Sequence, residues 1–149
     1  MTKAADISLA IYNRLKNIDT FAGYATDIGL KVLRGRTGID DADIPCITMA
    51  LGDDSVAARQ QERHRLVLPY TLEAHHGCDP DNPNDTGEML VGDIKRALFG
   101  PGDLGLGGLA QDDGLRYTGR RIFAREPGST VVVAQVLIEV TYVEDQRQP

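Results

Sequence analysis

Residues 130–143 read TVVVAQVLIEVTYV. Taken at every second position, they set Val132, Ala134, Val136, Ile138, Val140 and Tyr142 on one side, and Val131, Val133, Gln135, Leu137, Glu139 and Thr141 on the other. Alternate side chains of a strand point to opposite faces. One face here is wholly apolar, the other is mixed, and the β-branched residues suit a pleated surface. The spacing therefore predicts a half-buried strand. It runs well beyond the usual ~5–6 residues, so it should outreach its own core at one end or change partners along its length.

Working outward, REPGS (125–129) is a turn and Leu115–Ala124 a second strand, which makes the pair an antiparallel hairpin. Simple alternation puts Leu115, Tyr117 and Phe123 on one face. Arg120 and Arg121 then point to opposite sides, with Arg121 on the apolar one. There it needs a carboxylate or a subunit contact, or it reaches solvent along its apolar stem. The preceding FGPGDLGLGGLAQDDG (99–114) is glycine-rich. It lacks the Walker lysine and a GxGxxG opening a helix, and reads as a flexible loop. Before it, Asn82 as N-cap, Pro83 at the first helical position and Asp85 in the first turn start a helix. That helix runs to about Leu98, with Leu90, Ile94, Ala97 and Leu98 as its apolar stripe and Met89 alongside.

Further upstream, His64–Ala74 is a long strand with Leu66, Leu68, Tyr70, Leu72 and Ala74 on one face. Pro69 falls on the more polar face and marks an edge, a bulge or a bend, because proline cannot donate to the ladder. GDDSVAARQQE (52–62) reads as an exposed loop or strand extension. Cys46–Leu51 and Leu30–Leu33 are short strands. A helix near Ala4–Asn17 opens the chain, with Ile7, Ile11, Leu15 and Ile18 as one stripe, Asp6 in its first turn and Lys16 in its last. The order is helix, two short strands, long strand, helix, two strands. It predicts an α+β domain: a mixed, largely antiparallel sheet flanked by two main helices, one domain over residues 1–149, with a frayed tail at 144–149.

Composition narrows the function classes. The 149 residues suit one domain with a sizeable core. A formal net charge of -6 argues against a broad basic face that grips nucleic acid, although Arg116, Arg120, Arg121 and Arg125 cluster in sequence. No apolar run reaches the ~18 residues of a membrane span. The opening segment lacks the features of a secretory signal, so the chain is expected to be intracellular when made. Cys46 and Cys78 are too few for a disulfide framework.

No arrangement of residues reads as catalytic. His75, His76, Cys78, Asp79 and Asp81 are all metal-capable, but adjacent histidines at a strand end point to opposite faces. The segment reads more simply as turns that lead into a helix cap. Ser8, Ser55 and Ser129 have no nucleophile-elbow context. We expect no enzyme, no cofactor and no metal. A small metal-dependent enzyme using the His75–Asp81 loop is the rival of a different class.

The whole succession resembles small tail proteins of long-tailed bacteriophages, in particular the tail-terminator or minor tail protein family. It runs from DISLAIYNRLKNI, LKVLRGR and IDDADIPCITMALGDD through RLVLPYTLEAHHGCDPDNPND and GEMLVGDIKRALFG to the final hairpin. The Arg34-Gly35-Arg36 and Pro127-Gly128-Ser129 positions are part of the likeness. The resemblance implies an α+β domain that assembles as a six-membered ring on the end of the tail tube. Such a ring stops tube growth and offers a surface to the head. It also implies a virion protein, assembled in the host cytoplasm, whose partners are itself, the tube protein and a head-side connector. A related neck or tail-completion protein has the same texture.

A strand whose second face is partly apolar has more apolar surface than a small monomer needs, and such surface commonly marks an interface; helices of the same chain covering both faces would also explain Val131 and Val133. The candidates are therefore Val131, Val133 and Leu137, with Arg116, Arg120 and Arg121 of the neighbouring strand set against acidic loops such as Asp53-Asp54. Closed rings need heterologous contacts of this kind. If the genome passes through the ring, a basic lining would hold it back. An acidic chain predicts a neutral or negative lining and no tight DNA binding.

Overall fold

Two fifteen-residue strands, Arg63–Gly77 and Val131–Asp145, pair antiparallel along their whole length and form the spine of the fold. The computed structural model describes residues 2–36 and 38–149. In chain order the elements are α1 (Lys3–Leu15), β1 (Val32–Arg34), β2 (Cys46–Leu51), β3 (Ser55–Gln60), β4 (Arg63–Gly77), α2 (Pro83–Phe99), β5 (Leu115–Ala124) and β6 (Val131–Asp145). The sheet order is β1-β2-β4-β6-β5, and β3 shares with β2 the same side of β4. Among the described residues only β1 and β2 run parallel. The fold is α+β with a mixed, mostly antiparallel sheet, as the element order predicts.

Both helices pack on one face. Val132, Ala134, Val136, Ile138, Val140 and Tyr142 are buried there, opposite Leu66, Leu68, Tyr70, Leu72 and Ala74. The stripe Ile7, Ile11, Leu15 of α1 and the stripe Leu90, Ile94, Leu98 of α2 close the core over them. The polar groups that meet across this layer are satisfied: Ser8 and Tyr70 share a hydroxyl hydrogen bond of 2.8 Å. Arg14 joins the two helices. It donates to the carbonyls of Leu98 (2.7 Å) and Asp103 (2.6 Å), and so meets an otherwise unpaired C-terminal carbonyl of α2.

Several expectations shift. Helix α1 ends two residues early, so Arg14 rather than Lys16 lies in its last turn. The first strand is Val32–Arg34, because Ile28–Leu30 takes a 3-10 turn instead. His75 and His76 are ladder residues of β4, not loop residues. The tail from Glu144 is not frayed throughout: Glu144 and Asp145 pair with His64 and Arg63, and the Gln146 amide donates to the Glu62 carbonyl at 2.9 Å. The glycine-rich 101–114 segment is packed rather than loose. Leu106 is buried, and Gln111 and Gly114 bracket Thr141 through backbone bonds of 3.0 Å each. A Cβ at Gly114 would stand 2.6 Å from the Thr141 carbonyl, so only glycine fits this approach.

The face assignment of β5 needs the largest correction. A register shift falls between Tyr117 and Gly119. This bulge gives β5 one extra residue and flips the alternation. Leu115, Tyr117, Arg120, Ile122 and Ala124 therefore pair with core-face residues of β6, while Arg121 and Phe123 pair with Gln135 and Val133 on the other face. Arg121 does not sit on the apolar side.

Pro69 lies inside a central strand without breaking it. Pairing with β2 ends at Tyr70, and pairing with β3 begins at Val67. The proline carbonyl accepts from Gly52 at 2.9 Å. A residue's N–H and C=O point to the same side of a strand. The missing donor thus faces the short connection between β2 and β3, where the ladder needs none.

Candidate interaction surface

The sheet face opposite the two α-helices carries no α-helix among the described residues. Its rungs follow from the register. Cys46, His75, Val133 and Phe123 form one, Thr48, Glu73, Gln135 and Arg121 the next, then Ala50, Thr71, Leu137 and Gly119, then Pro69, Glu139 and Arg116. The first rung is covered by the chain itself. Ile39 lines a cleft of about 280 Å³ with Thr48, Glu73 and His75, and Asp41 pairs with Arg125 at the end of β5. The middle rungs stay open. They are polar and shallow, with the Gln135 amide donating to the Glu73 carboxylate at 3.0 Å.

The other open region is an arm. β3 and the start of β4 form a hairpin about the two-residue turn Gln61-Glu62, with Gln61 left-handed at φ 55°. All six residues of β3 are exposed. Past Leu66 and Tyr142, the last core residues here, β4 and β6 continue as Arg63–Arg65 and Val143–Asp145. That is an overhang of about 10 Å at a strand's ~3.3 Å per residue. At its root, burial and then the neighbouring Glu144 push the Tyr142 hydroxyl up to about 12.

Sixteen lysines and arginines are present. Among the described residues, all but three have an ion-pair, side-chain hydrogen-bond or aromatic partner within the chain. The three are Arg59, Arg63 and Arg65, and all lie on the arm. Asp145 is held below the usual carboxylate range chiefly by the backbone N–H and side chain of Arg147, with Arg63 adding a weaker pull. Glu62, Glu144 and Asp145 interleave with these arginines, so the arm is mixed in charge rather than a basic track.

The candidate residues read from the sequence are dispersed. Val133 is only 3% exposed and is covered within the chain. Val131 is half-buried at the start of β6. Leu137, at 36%, is an open apolar residue of the outer face. Arg121 shares that face and stacks its guanidinium 4.8 Å from the Phe123 ring centre. Arg116 reaches Asp113 at 3.4 Å. Arg120 lies on the helix side instead, where it donates to Glu88 of α2. That bond holds the Glu88 carboxyl below its ordinary range. Asp53 and Asp54 sit at the root of the arm, between β2 and β3. Leu137, Arg116 and Arg121 thus share one surface, while Arg120 does not.

The metal-capable residues do not converge. No group of three His, Cys, Asp or Glu side chains comes together among the described residues. His75 and His76 lie on opposite faces of β4. His75 is 8% exposed, with Nε2 3.6 Å from Glu73 and Nδ1 without a protein partner among the described residues. Burial pushes its pKa down. The Cys78 thiol contacts the Ser129 carbonyl at 3.9 Å, and burial raises its pKa.

A further feature has no sequence signal. Phe21 is 102% exposed, on a 3-10 turn spanning Thr20–Ala22. The turn is braced from every side. Asp19 and Asp27 accept from the amides of Ala22 and Thr20 at 2.8 Å each. Arg96 donates to the Gly23 carbonyl at 2.7 Å and stacks on Tyr24. Asp93 of α2, itself buried, accepts from the amides of Ala25 (3.1 Å) and Thr26 (2.8 Å) and from the Thr26 hydroxyl (2.6 Å). No protein-family model matches this chain, and no curated protein matches its sequence.

Proposed function

We propose that the protein is a structural subunit of a phage tail: a tail terminator that forms a ring on the end of the tail tube, stops its growth and presents a surface to the head. The observation that carries this reading is the arm. Ordering a residue costs roughly 1–2 kcal/mol of backbone entropy, and β3 offsets little of that by burying its own side chains. Its three unpartnered arginines are suited to bidentate contact with carboxylates. A strand and charges left open in the subunit become useful in an assembly. The α+β fold, with a mixed sheet flanked by helices, agrees with what the resemblance implies.

In this reading the partners are further copies of the chain, the tube protein and a head-side connector, and the protein has no enzymatic role. The genome passes through the ring without being held. Each copy carries a net charge of -6, and carboxylates interleave even the arm. The test adds the purified protein to its cognate tube subunits during polymerisation and images the tubes. Elongation should stop at ends bearing a ring, and replacing Arg59, Arg63 and Arg65 together with Glu should abolish capping. Tubes that lengthen unhindered in the presence of the wild type would refute the proposal. Tight, salt-sensitive binding of labelled duplex DNA at low salt, where surface electrostatics are strongest, would point instead to a nucleic-acid-binding protein.

A further inference from the structure

We propose that Phe21 is an anchor that seats in a cleft between α1 and the β1–β2 end of a second copy of this chain. The proposal rests on the ring reading and supplies one of its contacts. A loop that carries a bare phenyl ring ordinarily gains by folding it onto the surface. Here five side chains hold the turn in place with the ring fully outward. Such preorganisation removes the ordering cost that binding otherwise carries, and aromatic side chains are typical anchors of interfaces.

The receiving cleft has a volume of about 610 Å³. Met49, Ala50 and Leu51 give it an apolar side, and Leu51 is largely exposed. Arg34 and Arg36 also line it. The Arg34 guanidinium already lies 5.3 Å from the Tyr12 ring centre, and a second aromatic ring entering the cleft would meet the same cation. Charge matches as well. Phe21 is flanked in its loop by Asp19 and Asp27, each of which uses one carboxylate oxygen on the turn, while the cleft is lined by Arg34, which has no carboxylate partner among the described residues, and by Arg36, which shares Asp43 with Lys31. Knob and cleft belong to different parts of one chain, so the contact is heterologous, the kind that closes into a ring.

The chain contains no tryptophan, so Phe21→Trp makes a single reporter at the contact. Its emission should be that of a water-exposed indole when dilute and should move to shorter wavelength as concentration and particle mass rise. Leu51→Glu in the same background should keep the indole exposed and the chain monomeric. In the wild-type background Phe21→Ser should weaken self-association roughly 30-fold, the loss expected of an interface anchor. Each of these variants retains one good half of the contact. A mixture of Phe21→Ser and Leu51→Glu chains should therefore form dimers and nothing larger. Particles that grow while the indole stays exposed, or that form as well from the Phe21→Ser variant as from the wild type, would overturn the anchor and leave the ring reading standing. Monomers at every concentration, with equal capping of tubes by wild type and Phe21→Ser, would overturn it too. Failure of the wild type to cap tubes is the separate failure of the ring reading.

Discussion

Residues 66–77 and 63–65 belong to one unbroken strand, paired throughout with β6, yet they live in different surroundings. From Leu66 to Ala74, every second side chain of β4 is sealed beneath α1 and α2. In the arm the β4–β6 ladder continues unbroken, β3 joins it through a bulge between Val56 and Ala58, and most of the side chains face water. Backbone hydrogen bonds alone contribute little net free energy, since water makes them too. The comparison shows that the covered half holds the fold and that the arm is held by continuity with it. It also separates what a residue does for stability from what it offers to a partner.

The sharpest way to break this comparison is at Ile138, in the covered half. Ile138→Ala should destabilise the chain by roughly 2–5 kcal/mol, whereas Glu139→Ala, next door on the open face, should stay within about 0.5 kcal/mol. Urea midpoints that coincide for the two variants would mean the strand faces are reversed. Next in size is Asp93, which serves loop 19–30. Asp93→Ala strands two amides and should cost roughly 1–3 kcal/mol, with faster hydrogen exchange at Ala25 and Thr26. An unchanged exchange rate there would show that the loop is held by something else.

A smaller effect comes from acid. The folded pKa of His75 lies below its ordinary 6.5, pushed there by burial and, less strongly, by Arg125, against the opposing pull of Glu73. The unfolded chain therefore takes up the proton first. Stability is full above about pH 6.5 and falls as the pH drops towards the folded value, no more steeply than about 1.4 kcal/mol per pH unit for one proton. His75→Gln should flatten this slope between pH 7 and 5, and an identical slope in the variant would acquit His75. The smallest effect belongs to the arm. Arg59, Arg63 and Arg65 replaced together by Ser should move stability by less than about 0.5 kcal/mol. A large loss of stability in calorimetry would mean that the arm supports the fold of its own chain after all.

Much of the covered half is legible in the sequence, because one-sided burial imprints a period of two on β4 and β6 and a period near four on the helices. The arm is not. β3 is exposed on both faces, so nothing forces its residues to alternate, and its turn uses Gln61-Glu62 instead of the usual Gly or Asn. The face of Arg121 is hidden by a bulge whose one sequence hint is Gly119 within a strand. Ion pairs such as Arg120 with Glu88 and Arg125 with Asp41 join residues 32 and 84 positions apart, so no spacing rule finds them. Phe21 shows the converse. An aromatic residue in a short loop, outside any periodic stretch, gives no sign in sequence of whether it points in or out.

The bulge in β5 has one more consequence. β5 is the last strand of the sheet, and its far side bears amide and carbonyl groups with no neighbouring strand among the described residues. A straight strand in that place is a template on which another chain can add itself without limit. The irregularity at Tyr117–Gly119 interrupts the rhythm such an addition would follow, and Arg116, Arg120 and Arg121 line the strand with charge of one sign. Two copies meeting along this border would find their bonding groups out of step, and would have to part Arg116 from Asp113 and Arg120 from Glu88 or pack around those pairs. The kink that hides the faces of β5 is also a guard against strand-by-strand growth along a long bare border.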